Sequence, residues 1–414
     1  MGSVSLRSIL VAALLLRLAA ACVHAAQGPE PGPWFDERSF FMVARALVEE
    51  GRLATRPGGP AEVIRGPAYP VFLVPFVMTT GQRVIGPALA QAVLGTATVW
   101  IVAAALGRLL RREGVGERDA ARAVLCAGWA CALSPIAILW DRFVMSESLA
   151  TFLLAAAVAL CWEVPHARRA FLFVLACGAC CAALILAKPA FLFLPVALSP
   201  FLVARGRTAH AVALVAVTAA LLAPWALRNA AVAGRPSPTG LGSGLFLYAA
   251  TLPRASDGVP VIDDPRDQAA AAVYLAHDTP VAARADADAD FRRRALLRIR
   301  ARPLAYLASC IPRAVRLWTS SHAEALQPLV IPRPLRVVLA LSAGAVFLTA
   351  LSALLLTGPA RSAALALVVA PLYTTLVHVP LAAGSRYSVP AWPFVWALAA
   401  LAVAARRPLP ARAP

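Results

Sequence analysis

The stretch AFLFVLACGACCAALILAKPAFLFLPVALSPFLV, residues 170–203, carries a single charge, Lys188. About 20 apolar residues of helix cross a bilayer, so this stretch holds two spans, 170–187 and 190–204, turned at Lys188-Pro189, where proline suits a helix start. Similar apolar runs recur at 8–26, 86–107, 121–139, 147–163, 209–226, 335–357, 362–381 and 389–405. They make about ten spans, and a shorter run at 70–78 dips into the membrane. Of the 414 residues 60% are apolar and 14% charged, with a mean hydropathy of +0.72. Those values exclude an ordinary soluble globule and a disordered chain. The expected fold class is an all-α polytopic membrane protein.

The net charge is +18, from 39 basic and 21 acidic residues. In a soluble domain this would point to nucleic acid. Here the basic residues, all arginine but for Lys188, flank apolar runs, where they set topology and attract anionic lipid. Membrane lipids are therefore the expected partners, and nucleic acid is not. A cytoplasmic N-terminus places 14 basic residues inside, among them Arg108, Arg111, Arg112, Arg205, Arg207, Arg406, Arg407 and Arg412. The short outside turns then hold one each: Arg142, Lys188 and Arg386. This distribution predicts a multi-pass protein of the cell (inner) membrane with both termini cytoplasmic. Residues 8–26, although Val23-His24-Ala25 suits signal cleavage, are read as an uncleaved helix.

Three regions follow: an N-terminal transmembrane module, 1–226, including an external loop at 27–85; a second external loop with interfacial helices, 227–334; and C-terminal helices, 335–414. Of the 21 acids, 17 fall outside, so any chemistry belongs to the periplasmic or exterior face. The eight cysteines lie in or beside apolar runs and indicate neither disulfides nor zinc. Cys177 and Cys180 read as small-residue helix packing.

The first loop contains WFDERSFFMVARALVEEGRLA, residues 34–54, with an apolar stripe at Phe40, Phe41, Val43, Ala44, Leu47 and Val48. Asp36 and Glu37 open this amphipathic helix. Two readings stand: capping of the positive helix end, or a general base beside the lipid boundary. IRGPAYPVFLVPF, residues 64–76, sets Arg65 and Tyr69 in an extended return to the membrane, either a structural turn or part of a site.

Asp141 and Glu147 stand where two helices meet the outer surface; a solvated Asp141–Arg142 pair and a cap at Glu147 are the plain alternatives. Lys188 either snorkels or holds a phosphate as a point charge. Arg228 and Asn229 mark a membrane exit, followed by Gly240, Gly242 and Gly244, a weak phosphate-cradle pattern without strand context. Asp286, Asp288 and Asp290 read as the start of an interfacial helix rather than a metal site, because no alternating strand-helix region accompanies them. His378, Arg386 and Tyr387 meet at the outer mouth of the last two spans, where arginine can grip phosphate and tyrosine fits an aromatic belt.

In this order, Asp36-Glu37, RGPAYP, Ser146-Glu147, PWALRN, the helix Arg293 to Leu307 and the terminal RYSVPAWP resemble the GT-C membrane glycosyltransferases that use polyprenyl-phosphate sugars. The likeness is to glycosyltransferase family 39, which includes protein O-mannosyltransferases, and to aminoarabinose transferases. The resemblance implies an inverting sugar transfer on the outer face to a lipid, glycan or protein acceptor, metal-free or assisted by a divalent cation such as Mg. Asp36, Glu37 and Glu147 would form the catalytic set, with Asp36 as base. Arg386, Lys188, Arg228 and Arg65 would meet the lipid phosphate, with Tyr69, Asp141, Asn229, His378 and Tyr387 lining the substrates. The alternative is a multi-span transporter or lipid flippase, although internal repeats are not evident and Arg17 is the one charge deep in a span.

Overall fold

The computed structural model describes residues 3–28, 30–32, 36–253, 261–322, 332–381 and 384–405. Trp34, Phe35, Arg406, Arg407 and Arg412 lie outside them. Within them the chain is all-helical apart from one isolated bridge between Ala54 and Ala61. The N-terminal part comprises α1 (Ser3–Gln27), α2 (Glu37–Glu50), α3 (Ala68–Thr80), α4 (Ile85–Arg112), α5 (Glu117–Leu133), α6 (Pro135–Asp141) and α7 (Ser146–Glu163), then α8 (Ala170–Ala187), α9 (Leu194–Val203) and α10 (Thr208–Ala233). The segment that follows folds as α11 (Ser243–Ala250), α12 (Pro265–Leu275), α13 (Val281–Ala301) and α14 (Pro303–Thr319). The last part contains α15 (Arg333–Ser352), α16 (Gly358–Leu367), α17 (Val369–His378) and α18 (Trp392–Ala404).

Among the described residues eight helical runs are long and apolar enough to cross a membrane, or nine if α5 and α6 count as one bent span. This is a polytopic membrane protein, with fewer full-length spans than the ten expected. The difference lies at 190–204, where a 3-10 turn, Pro189–Phe191, precedes the ten-residue α9. At 1.5 Å per residue α9 rises only about 15 Å. The segment still joins opposite faces of the bundle, because Lys188 pairs with Glu147 at one end while Arg205 pairs with Glu113 at the other. Arg108 and Arg112 meet Glu163 on that second face, which is the arginine-rich side read from the sequence.

Small residues set the helix spacing. A Cβ at Gly178 of α8 would stand 2.6 Å from Val217 Cγ1 of α10, and Cys177 Sγ lies 3.2 Å from the Ala157 carbonyl of α7. Close backbones replace bulky side chains here, as expected where lipid provides no hydrophobic drive between helices. The apolar stripe of α2 packs Phe40, Phe41 and Ala44 on Tyr69 and Leu73 of α3, holding these two helices together.

The 43° bend between α5 and α6 has a local cause. Proline at 135 disfavours helical geometry at the preceding residue, and Ser134 sits at φ −58°, ψ 111° with its hydroxyl accepting from the Ala137 amide. The bend delivers Asp141 to Arg17, at 2.8 Å and almost fully buried. Arg17 also donates to the carbonyls of Ala13, Cys131 and Ala132, while Ser148 Oγ donates to Asp141. Gly95 makes room for the pair: a Cβ there would lie 2.3 Å from Asp141 Oδ2 and 2.6 Å from Arg17 Nε. The deep arginine is therefore a cross-tie between α1, α5 and α6.

Removing one partner of such a buried pair costs about 3–5 kcal/mol, whereas replacing both by apolar groups can be neutral. Arg17→Met should destabilise the solubilised protein by about that amount, and Arg17→Met/Asp141→Leu should recover most of it in thermal unfolding. A double variant no more stable than the single one would count against the cross-tie.

Candidate active site

Asp36 stands at the N-cap of α2, yet its side chain makes no capping hydrogen bond. It points instead to two arginines from distant parts of the chain. Arg65 Nη2 donates to Asp36 Oδ1 at 2.9 Å, and Arg386 Nη2 donates to Asp36 Oδ2 at 3.1 Å. Arg65 is presented by the loop entering α3, Arg386 by the 3-10 turn Ser385–Ala391 that starts the last span. The Asp36 side chain remains 31% exposed, unlike Glu37 and Glu147 at 0% and 2%. Burial alone would raise the Asp36 pKa; Arg386 and Arg65 outweigh it and hold the carboxyl below its ordinary value.

Glu147, in the first turn of α7, accepts from Lys188 Nζ at 2.8 Å and lies 4.0 Å from Arg386 Nε. Its Oε2 has no hydrogen-bond partner. The capping reading thus accounts for neither Asp36 nor Glu147. Lys188 and Arg386 both lie against the ring of Tyr387, at 5.5 and 5.3 Å from its centroid, and Tyr387 stacks on His378 at 5.1 Å. Asp36, Arg65, Glu147, Lys188, Arg386 and Tyr387 are one connected cluster, with His378 on its far side.

The other residues singled out from sequence sit in structural bonds. Glu37 accepts from the Val144 amide at 2.7 Å, meets His24 Nε2 at 3.0 Å and accepts from the Gly32 amide, tying α1 to the turn after α6. Tyr69 donates to Gln91, whose amide donates in turn to the Asp141 and Phe143 carbonyls. Asp141 is taken by Arg17 and Ser148. Arg228 donates to the carbonyls of Glu62 and Leu53, and Asn229 to that of Ser237. Arg228 anchors the end of α10 to the loop between α2 and α3, and Asn229 pins the turn that follows α10.

Asp288 accepts from the Gly244 amide and pairs with Arg292, and Asp290 pairs with Arg293 and Arg294. Two acids of the triplet are thus engaged within α13 and with α11, while Asp286 is exposed. Among the described residues no group of three or more His, Cys, Asp or Glu side chains is placed to hold a metal ion. Sequence reasoning passed over Glu62, which is fully buried and accepts from the Ile64 and Arg65 amides. Its position three residues before Arg65 is the signal that could have found it.

No family model matches the sequence, and no curated protein does. Solved structures do match. Oligosaccharyltransferase AglB from Archaeoglobus fulgidus, in complex with an inhibitory peptide and a dolichol-phosphate, is 13% identical over 96% of this chain and 50% of its own, with a TM-score of 0.55. The fold is the GT-C fold. An AglB complex with Zn and sulfate superposes at a TM-score of 0.51 and 14% identity, over 95% of this chain and 48% of that one. ArnT from Cupriavidus metallidurans, bound to undecaprenyl phosphate, is 15% identical over 95% of this chain and 77% of its own, at a TM-score of 0.41. This chain spans about half the length of AglB.

A carboxylate whose pKa is lowered on folding stabilises the native state above its unfolded pKa, and that contribution disappears as pH falls through the folded value. Thermal stability should therefore decline as pH drops below about 4, and Asp36→Asn should flatten that limb of the profile. An unchanged acid limb in the variant would mean that other carboxylates govern it.

Proposed function

We propose that the protein transfers a sugar from a polyprenyl-phosphate donor to an acceptor hydroxyl on the extracytoplasmic face of the cell membrane, with both termini cytoplasmic. One observation carries this reading: the most accessible carboxylate of the cluster, Asp36, is flanked by Arg65 and Arg386, with Lys188 beside them. Such a set can remove a proton from a nucleophile and neutralise a departing phosphate within one site. The GT-C fold and the dolichol-phosphate bound by AglB support the choice of donor.

In this mechanism the acceptor oxygen attacks the anomeric carbon as its proton passes to Asp36. The bond from that carbon to the phosphate oxygen breaks, its electron pair stays with the phosphate, and the configuration inverts. Lys188, Arg386 and Arg65 meet the phosphate charge. Their engagement also prepares the base. With both arginines on its oxygens Asp36 is a weak proton acceptor, and a phosphate that draws Arg386 away raises its basicity. Glu147 holds Lys188 and Arg386 in place, and Glu37 fixes the loop that carries Asp36.

A divalent cation such as Mg finds no ready seat beside Asp36, because both carboxylate oxygens face guanidinium groups. The arginines and Lys188 supply the positive charge in its place.

Asp36→Asn should lower transfer from polyprenyl-phosphate sugars in membranes by about 10²–10⁴-fold while protein levels hold; transfer at the wild-type rate would remove Asp36 as base. Lys188→Met and Arg386→Ala should each weaken undecaprenyl phosphate binding by about ten- to a hundredfold, the range for losing a charged hydrogen bond. Unaltered binding in both would reject the phosphate assignment.

A further inference from the structure

Residues 292–302, at the end of α13, hold six arginines and no acid. On a short cytoplasmic loop such a run would set topology, but a segment as long as this one crosses largely regardless of charge. The run also stands at the end of the bundle that carries Asp36. Arg313 Nε of α14 donates to the Val379 carbonyl at 2.7 Å and Tyr306 to that of Pro380, between α17 and the turn that presents Arg386. Topology leaves these cations unexplained.

Folding accounts for only some of them. Arg292 pairs with Asp288, Arg294 with Asp267 and Asp290, and Arg298 lies over Tyr248 at 4.6 Å from its ring centroid. Arg293 meets Asp290 with its side chain 73% exposed, a pair of little weight that another anion can displace. Arg300, Arg302 and Arg316 are exposed and, among the described residues, have no ion-pair partner. Ala289, Arg292, Arg293, Leu296, Leu297 and Arg300 line an open groove of about 270 Å³ along one face of α13. That is many times the roughly 10–15 Å³ that one water needs, so the groove admits a larger group.

Beyond the bend at Arg302-Pro303 the character of the surface changes. Leu304, Leu307, Ile311 and Val315, spaced by three and four residues, fall on one side of α14 and are between 53% and 79% exposed. The opposite side is occupied: Arg313, Leu317 and Trp318 are buried, and Trp318 stacks on Phe347 of α15 at 4.7 Å. With 17 residues and arginines at 313 and 316, α14 is not one of the spanning helices. An apolar stripe on such a helix belongs at the boundary of lipid headgroups and acyl chains.

Cations bordering an apolar stripe fit an occupant with an anionic head and apolar tails. A free phosphate or an acidic protein would neutralise the arginines and leave the leucines in water, and a zwitterionic lipid would cover the leucines and leave the arginines uncompensated. We infer that α13 and α14 form a binding surface for anionic phospholipid of the leaflet beside the Asp36 cluster. The headgroup phosphate is held among Arg293, Arg300 and Arg302, and the acyl chains lie on Leu304, Leu307, Ile311 and Val315. None of these residues belongs to the Asp36 cluster, so the surface is separate from the donor site proposed above.

Native mass spectrometry of the full chain in detergent, titrated with dioleoyl phosphatidylglycerol or dioleoyl phosphatidylcholine, tests the headgroup. The wild type should retain phosphatidylglycerol in preference. Arg300→Gln should weaken that binding about fivefold, the factor for one cation at an anionic surface, and Arg293→Gln/Arg300→Gln/Arg302→Gln at least about tenfold. Arg111→Gln/Arg118→Gln/Arg122→Gln, on the opposite face, should bind within about twofold of the wild type. All these arginines are exposed, so each variant should keep the wild-type melting temperature. In nanodiscs of the two lipids, p-benzoyl-phenylalanine in place of Ile311 should crosslink to acyl chains. Retention of phosphatidylglycerol without preference, or equally by the wild type and both α13 variants, overturns the headgroup site. Absence of lipid crosslinks from position 311 overturns the lipid surface, and crosslinks to a second copy of the chain in their place assign the face to self-association.

Discussion

The bridge from Arg65 through Asp36 to Arg386 joins positions 29 and 350 residues apart from that carboxylate. At the rim of an apolar bundle, where water screens poorly, a charge is stable only when paired. One carboxylate thereby draws the start of α2 and the loop before α3 onto the turn that opens the last helix. Glu147 and Lys188 extend the arrangement to α7 and α8, so the cluster is a meeting point of the N-terminal, middle and C-terminal parts of the chain.

Its chemistry contrasts with that of the sealed pairs nearby. Arg17 and Asp141 are enclosed, cross-bonded to backbone carbonyls and a serine, and have nothing left to offer a substrate. Glu37 is likewise consumed by two amides and His24. Asp36 differs because it stays partly open and both its partners are cations that a phosphate could claim. Exchange of partners is available there and absent at Arg17.

Much of the architecture was legible in the sequence, since spans follow from apolar run length and the arginine-rich face from the distribution of charge. The run at 190–204 reads as a full span from its apolar length, but a 3-10 turn takes up its first residues and the α-helix begins only at Leu194, with Pro195 in its first turn. Among polar residues the types were visible and their partners were not. Asp36 was read as the base and Asp141 as lining a substrate, and only the bend at Pro135 and the gap at Gly95 commit Asp141 to Arg17. Arg228 and Lys188 looked equally suited to phosphate, but Arg228 is spent on carbonyls of the first loop.

By itself the sequence determined that the chain is an all-helical membrane protein with an arginine-rich face and acids gathered opposite, because hydrophobic run length and charge placement act locally along a helix. Only the tertiary structure decided which of those acids remains available and which cations surround it. It also brought Glu62, unremarked in sequence, beside Arg65 on the flank of Asp36. The physical reason is that pairing between buried charges depends on distances of a few ångströms across residues hundreds of positions apart, and those distances are set by helix bends, glycine contacts and loop clasps.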